Sequence, residues 1–298
     1  MSSPIDSADV LTLTPLHPRL GVEVHDIDLR ELAPDHLYPT IRAAFEEHSL
    51  LLFRNQHLDD AAHLSFGALW GPIEDRAYGA MGDAPRMDNV SNRKSDNTIA
   101  AADDLHTLNL MGNQLWHTDS TFLPVPALAN ILAARVLSDT GGETEFVSTR
   151  AAWHDMPASL KDRIDGRVIR HRLAHSRAKI SPVLAEQHRA KWPDQLWRAI
   201  WPNPVHGAEA LYIASHSAGV EEMPDPEAQA LLEELIGYCT QPDRVYRHHW
   251  RLGDVLVWDE RATMHRGRPW PYAQERTLAS ICISVTDADG LATIRPAT

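Results

Sequence analysis

The sequence predicts a mainly β fold with covering helices, an α+β protein built on a double-stranded β-helix of the jelly-roll, cupin-like type. Short runs rich in Val, Ile and Leu recur along the 298 residues between Gly, Pro and Asp, as they do in β-barrels and sandwiches. A few stretches with apolar residues at helical spacing lie among them, enough to cover a sheet. No repeat, low-complexity tract or linker divides the chain, so residues 1–298 read as one domain.

Residues 10–29 carry β-branched and Leu runs, and Gly21-Val22-Glu23-Val24 alternates apolar with polar, which predicts a strand or hairpin. Leu37, Ile41 and Phe45 recur at four-residue spacing, so a helix is expected from Leu32 to about His48. Leu50 to Phe53 reads as a buried strand. A second amphipathic helix, with Leu58, Ala62, Phe66 and Leu69 on one side, is stopped by Gly71-Pro72. Residues 74–112 are polar and aperiodic and read as a long loop with the dimensions of a lid. Strands are expected again at Gln114 to Asp119, Leu128 to Val136 and Thr144 to Val147. The helical stretch Arg150 to Ile164 is broken at Pro157, and a strand follows around Val168 to Leu173. Residues 175–208 read as a second irregular stretch, with Trp192, Trp197 and Trp201 among prolines. Asp225-Pro226 opens a helix whose apolar face carries Ala228, Leu231, Leu232, Leu235, Ile236 and Cys239. Two alternating strands, Asp254 to Trp258 and Arg276 to Ser284, complete the pattern.

Lys and Arg total 28 against 41 Asp and Glu, a formal charge of −13, and no basic run is interleaved with aromatics. That balance argues against a phosphate-tracking surface, so no nucleic-acid partner is expected. Cys239 and Cys282 stand alone, outside any C-x-x-C or C-x-x-H pattern, which points away from disulfides and zinc clusters and fits a reducing cytoplasm. The amino terminus has no basic region followed by an apolar run, and no stretch approaches the length of a membrane span. A soluble, unprocessed protein without a membrane partner is expected, and a homo-oligomer is compatible with this composition.

The most chemically informative stretch is Trp116-His117-Thr118-Asp119-Ser120. On the expected strand, His117 and Asp119 point to the same side, because side chains at i and i+2 share a face. An imidazole and a carboxylate side by side are two of the three donors of the facial triad that leaves open positions on non-haem Fe(II). His265, between the two last expected strands, can supply the third. Spacing alone leaves a surface His–Asp pair as the alternative, since 17 histidines offer many third partners.

Other segments add to this one. Gly141-Gly142-Glu143-Thr144 follows it, then Gly253-Asp254 with Trp258-Asp259 and Arg261, then His265 and Arg276. Earlier stand Gly21-Val22-Glu23, Asp26-Ile27-Asp28-Leu29, Leu52-Phe53-Arg54-Asn55-Gln56, and Phe66-Gly67 with Gly71-Pro72-Ile73-Glu74. In order and spacing these resemble the taurine dioxygenase family of Fe(II)- and 2-oxoglutarate-dependent oxygenases, over most of the chain. Asn113-Gln114-Leu115-Trp116-His117 and Val245-Tyr246-Arg247-His248 look most like its dichlorophenoxyacetate dioxygenase branch.

The resemblance implies that His117, Asp119 and His265 are iron ligands, and that Arg276 and Thr144 bind the distal carboxylate of 2-oxoglutarate. A guanidinium grips a carboxylate with two parallel hydrogen bonds and a hydroxyl adds another donor. It also implies the cosubstrate O2, the products succinate and CO2, and hydroxylation of a small organic substrate, with cleavage where the hydroxylated carbon bears an ether oxygen or a sulfonate. Asp119 argues against a halogenase, in which a small residue at that position leaves room for halide.

Two positions depart from the family pattern. Members acting on sulfonates or aryloxyacetates usually carry a second Arg four residues after the first, where this chain has Ser280. Where the family often has Arg-Thr-His-Pro, this chain has Trp201-Pro202-Asn203-Pro204, so Asn203 stands among the changed residues. Two cationic positions are thus lost together. Either Arg93 or Lys94 in the long loop supplies a relocated cation, or the substrate is neutral and packs against the Trp-rich stretch, the reading this double loss favours. Asn113 is a further pocket candidate by its match, and Glu260 replaces a family Asn next to the metal motif. A hydroxylase of a carrier-bound or peptide substrate is the alternative enzyme, and a non-catalytic metal- or ligand-binding β-barrel the alternative of another class.

Overall fold

The computed structural model describes residues 11–75 and 87–297. A seven-stranded mixed sheet dominates it, in the order Thr12–His17, Leu20–His25, Leu50–Phe53, Val255–Asp259, Ala127–Val136, Thr277–Ser284 and Asp88–Ser91. Leu20–His25 and Leu50–Phe53 run parallel and every other neighbouring pair is antiparallel. The central strands are almost continuously apolar because both faces are covered. Ala129, Ile131, Ala133, Val255, Val257, Ile281 and Ile283 point into a core shared with Phe45, Phe66 and Trp70. Those aromatics come from the helices Tyr38–His48 and Asp60–Trp70. The alternate residues Asn130, Leu132, Trp258, Leu278, Ser280 and Cys282 line a cavity on the opposite face, as the two-residue period of a strand requires.

A three-stranded antiparallel sheet, Tyr246–His248, Thr144–Ser148 and Thr263–Gly267, also contributes to that cavity. Its register sets His265 opposite Phe146 and Gly267 opposite Thr144, so His265 and Thr144 are diagonal neighbours. Farther out lie a sheet of Ser217–Val220, Val168–His171 and Gln195–Arg198, and the pair Glu209–Leu211 with Ile200–Pro202. The helix Asp225–Cys239 buries Ala228, Leu231, Leu232, Leu235 and Cys239 as its spacing predicts. Among the described residues, no helix is long and apolar enough to cross a membrane.

Several expectations need correction. The first helix begins at Tyr38, not Leu32, because Leu37 has a φ of 59° and cannot be its first turn. Gln114 to Asp119 is not a strand. A short 3-10 turn, Gly112–Gln114, leads into it, and only His117 makes a β-bridge, to His265. Parts of the polar stretch 74–112 are ordered, as the edge strand Asp88–Ser91 and the helix Leu105–Met111; residues 76–86, which fall in the expected lid, lie outside the described residues. The stretch 175–208 is not irregular either. It holds the end of helix Leu173–Ala178, the helix Pro182–Lys191 and the strands Gln195–Arg198 and Ile200–Pro202.

Behind the large sheet, charges are neutralised in a buried network. Arg261 binds Asp259 through Nε at 2.9 Å and Glu46 through Nη2 at 2.6 Å, and Arg42 joins Glu46 to Asp289 at 2.7 and 2.8 Å. Removing one member leaves a charge in the interior without its partner. Arg261→Met is therefore expected to destabilise the fold by about 3–5 kcal/mol. Arg163→Met, which breaks the exposed pair with Glu234, is expected to cost less than about 1 kcal/mol. Denaturant melts of the two variants check the contrast.

Candidate active site

His117 and His265 exchange two backbone hydrogen bonds, His117 N to His265 O at 2.9 Å and His265 N to His117 O at 2.8 Å. This holds the two imidazoles together, with ring centroids 4.1 Å apart. Asp119 follows in a turn whose next residue, Ser120, has a φ of 56°. The turn rather than a strand brings its carboxylate back, with Oδ1 3.6 Å from His117 Nε2 and Oδ2 3.8 Å from His265 Nε2. One ligand atom from each of the three residues lies within 4.8 Å of the others. His117 Nδ1 donates to the Leu115 carbonyl at 2.7 Å, which leaves the Nε2 lone pair for a metal. Burial lowers the His117 pKa and pushes that of His265 down to about 3, so both rings are neutral at physiological pH, the form that binds metal.

The carboxylate is held from two sides. The Asp119 amide donates to Glu260 Oε2 at 2.9 Å, and Asn130 Nδ2 donates to Asp119 Oδ2 at 2.6 Å. Ser280 Oγ in turn donates to Asn130 Oδ1 at 2.9 Å, so this residue, singled out as a lost anion contact, belongs to the support of Asp119. Burial pushes the Glu260 carboxyl well above its ordinary pKa, and its Oε2 serves as the acceptor for the Asp119 amide. Glu260→Gln retains that acceptor and is expected to keep metal affinity within a few-fold. Glu260→Ala orphans the buried amide and is expected to weaken it by about 10–100-fold. Fe(II) titrations of the two variants measure the difference.

The three side chains open into a cavity of about 250 Å³ that also reaches Thr144 and Arg276. Arg276 is buried at 3 % exposure. Its Nη2 donates to the Gly142 carbonyl at 2.7 Å and its guanidinium lies 4.9 Å over the Trp270 ring. Gly142, at a φ of 75°, makes room for it, since a Cβ there would sit 2.6 Å from Arg276 Nε. Burial lowers the Arg276 pKa to about 10, which leaves it charged at neutral pH. Among the described residues no carboxylate lies within ion-pair distance of it, Glu143 acting only from farther off, so a buried cation faces the cavity with donors to spare. Thr144 Oγ1 accepts from Trp250 Nε1 at 3.0 Å, which leaves its own proton to donate. Two neutral imidazoles, a carboxylate, and this guanidinium with its hydroxyl are the donor set that a divalent metal and a dicarboxylate need.

The remaining candidates divide. Asn113 and Ser280 line the cavity. Arg93 does not, and is an exposed residue paired with Glu275 at 2.9 Å; Lys94 pairs with Asp104 at 3.3 Å. Asn203 is buried elsewhere, donating to Glu46 Oε2 at 2.7 Å in the network behind the sheet. Trp197 and Trp201 belong to the main core and Trp192 packs on Phe122, so none of the three tryptophans lines the cavity. The cavity wall includes residues the sequence reading passed over: Asn109, Phe122, Leu173, Arg177, His188 and His216. Of these, His188 lies on a helix that a signal in the sequence could have revealed, since Ser181-Pro182 marks a helix start, with Ser181 Oγ accepting from Leu184 N at 3.5 Å.

Fold and cavity together define a 2-oxoglutarate-dependent non-haem iron dioxygenase, an oxidoreductase that uses Fe(II), 2-oxoglutarate and O2. The chain belongs to the family described as Taurine catabolism dioxygenase TauD, TfdA family, which it matches over residues 12–282. It is 33 % identical over 271 residues to the alpha-ketoglutarate-dependent 2,4-dichlorophenoxyacetate dioxygenase of Cupriavidus pinatubonensis, covering 89 % of this chain and 94 % of that one. The (S)-phenoxypropionate/alpha-ketoglutarate-dioxygenase of Sphingobium herbicidovorans is 30 % identical over 281 residues, covering 89 % and 92 %. Among solved structures, AAD-2 in complex with Mn(II) and N-oxalylglycine superposes with a TM-score of 0.87 at 31 % identity, covering 93 % of this chain and 98 % of that one.

Proposed function

We propose that His117, Asp119 and His265 hold the Fe(II) and that Arg276 and Thr144 bind the distal carboxylate of 2-oxoglutarate. A small organic substrate, contacted by Asn113, then occupies the rest of the cavity. Bound there, iron and 2-oxoglutarate supply O2-driven hydroxylation with release of succinate and CO2. The chain's own residues position the reaction. His117 and His265 offer neutral Nε2 atoms, and Asn130 and Glu260 fix the Asp119 carboxylate. Leu132, Leu278 and Trp258 keep water from the reacting carbon. Both named relatives act on aryl ether acids, which supports a substrate whose hydroxylation next to an ether oxygen leads to bond cleavage. A cavity of about 250 Å³ suits such a molecule better than a peptide or carrier arm.

The same reading takes the two sheets that flank the cavity as halves of one jelly roll in a single domain, supported by the one cavity that Leu132 and Ser280 of the large sheet line together with Thr144 and His265 of the small one. It also takes the enzyme as cytoplasmic, supported by the two free, buried cysteines. The observation that carries the functional reading is the ligand cluster beside a buried arginine that has no carboxylate within ion-pair distance among the described residues. Anaerobic titration of the metal-free protein with Fe(II) and 2-oxoglutarate tests it. A weak metal-to-ligand charge-transfer band is expected only when both are present, and its absence would overturn the assignment.

A further inference from the structure

Arg177 is the second buried cation of the cavity. It lies at the end of helix Leu173–Ala178 at 8 % exposure. Its Nε donates to Asn109 Oδ1 at 3.1 Å and its Nη1 to Ser176 Oγ at 3.3 Å, both neutral acceptors. Among the described residues no carboxylate lies within ion-pair distance of it; the Asp119 carboxylate acts on it only from farther off and is committed to the metal site, and burial lowers its pKa only to about 10, which leaves it charged. A buried guanidinium that faces a cavity with no carboxylate at ion-pair distance is a costly arrangement unless an anion binds there. The neighbours of Arg177 and those of Arg276 do not overlap: Asn109, Ser176 and Gly112 surround the first, and Gly142, Trp270 and Asn92 the second. The two cations therefore serve different groups.

The site is also shaped to hold this side chain. Gly112 presses against the guanidinium so closely that a Cβ would lie 2.5 Å from Nη1 and 2.7 Å from Cζ. Gly112 itself has ordinary helical angles, φ −57° and ψ −30°, so its backbone does not demand glycine but the packing of Arg177 does. Leu173, from the helix that carries Arg177, forms an apolar cluster with Leu123, Trp192 and Phe122. The charged donor and the apolar wall are thus adjacent, as recognition of a small amphiphilic anion requires.

We propose that Arg177 is the substrate's anion anchor, replacing the cation that position 280 lacks, and that the substrate is a small organic acid whose apolar body packs on Phe122, Leu123 and Leu173. This rests on the oxygenase reading above. Serine at 280 is then no sign of a neutral substrate, because the anchor comes from a helix rather than from the last strand of the site.

The test is anaerobic binding to the Fe(II)- and 2-oxoglutarate-loaded protein, followed by calorimetry and by perturbation of the charge-transfer band. The probes are phenoxyacetate and hexanoate against their neutral counterparts 2-phenoxyethanol and 1-hexanol. The wild type is expected to bind the acids at least about tenfold more tightly than the alcohols. Arg177→Met is expected to weaken the acids roughly thirtyfold or more while leaving the alcohols within a few-fold. Gly112→Ala, which keeps the arginine but displaces it, should reduce the acid preference in the same direction. The band recorded before probe is added reports metal and 2-oxoglutarate loading separately. If it never forms in the wild type, the oxygenase reading fails and the anchor with it. If it forms normally but the acids bind no better than the alcohols, or the preference survives in Arg177→Met, the anchor alone is wrong.

Discussion

Asp119→Ala is expected to abolish 2-oxoglutarate-dependent succinate formation, with a loss greater than about 100-fold. Residues that merely support a metal ligand already cost about 10–100-fold when removed. Asp119 is the one acidic donor of the cluster, and its two oxygens face His117 and His265 at 3.6 and 3.8 Å. Without it a divalent ion would be held by two neutral imidazoles, with no anionic donor to offset its charge. Asn130 Nδ2 and the residue-119 amide would keep their places but support nothing. Fold integrity should be nearly unaffected, since the side chain faces the cavity and not the core. Succinate assays paired with thermal melts check both halves: lost turnover with an unchanged melt supports the role, and retained turnover contradicts it.

Arg276→Met is expected to raise the Kd for 2-oxoglutarate by roughly thirtyfold or more, because losing one side of a buried charge-assisted contact costs about 2–5 kcal/mol. The variant should fold at least as well as the wild type. A buried guanidinium whose protein contacts are the Gly142 carbonyl and the Trp270 face, with no carboxylate partner among the described residues, is a burden on the empty protein. Opposite signs for stability and cosubstrate affinity are the signature of a binding residue. Melting temperature and 2-oxoglutarate titration of the same preparation measure the two together, and a destabilised variant with normal affinity would mark Arg276 as structural.

The sequence made some of this legible and hid the rest for identifiable reasons. His117, Asp119, Thr144, His265 and Arg276 could be named because their chemistry is rare in combination and their motifs keep a recognisable order. All five meet in one cavity. The geometry behind them was not legible. His117 and Asp119 were assigned to a strand, whereas a 3-10 turn, one bridge to His265 and a left-handed Ser120 bring them together. The strand Thr263–Gly267 escaped notice because both of its faces are occupied and it shows no alternation.

Substrate-side residues fared worse, because their meaning depends on partners far away in sequence. Asn203 sits beside a family motif, yet its partner is Glu46 on the first helix. Arg93 and Lys94 offer the sequence only their charge, and nearby acids claim both. Arg177 carries no local signal. Its significance comes from Asn109 and Gly112, which approach it only in the folded chain.

The most direct test is a crystal structure of the protein grown anaerobically with Mn(II) and 2-oxoglutarate. One metal ion is expected about 2.0–2.2 Å from His117 Nε2, an Asp119 carboxylate oxygen and His265 Nε2, with the distal carboxylate of 2-oxoglutarate on Arg276 and Thr144 and the Arg177 guanidinium left for substrate. A metal bound elsewhere, or 2-oxoglutarate seated with its distal carboxylate on Arg177, would contradict it.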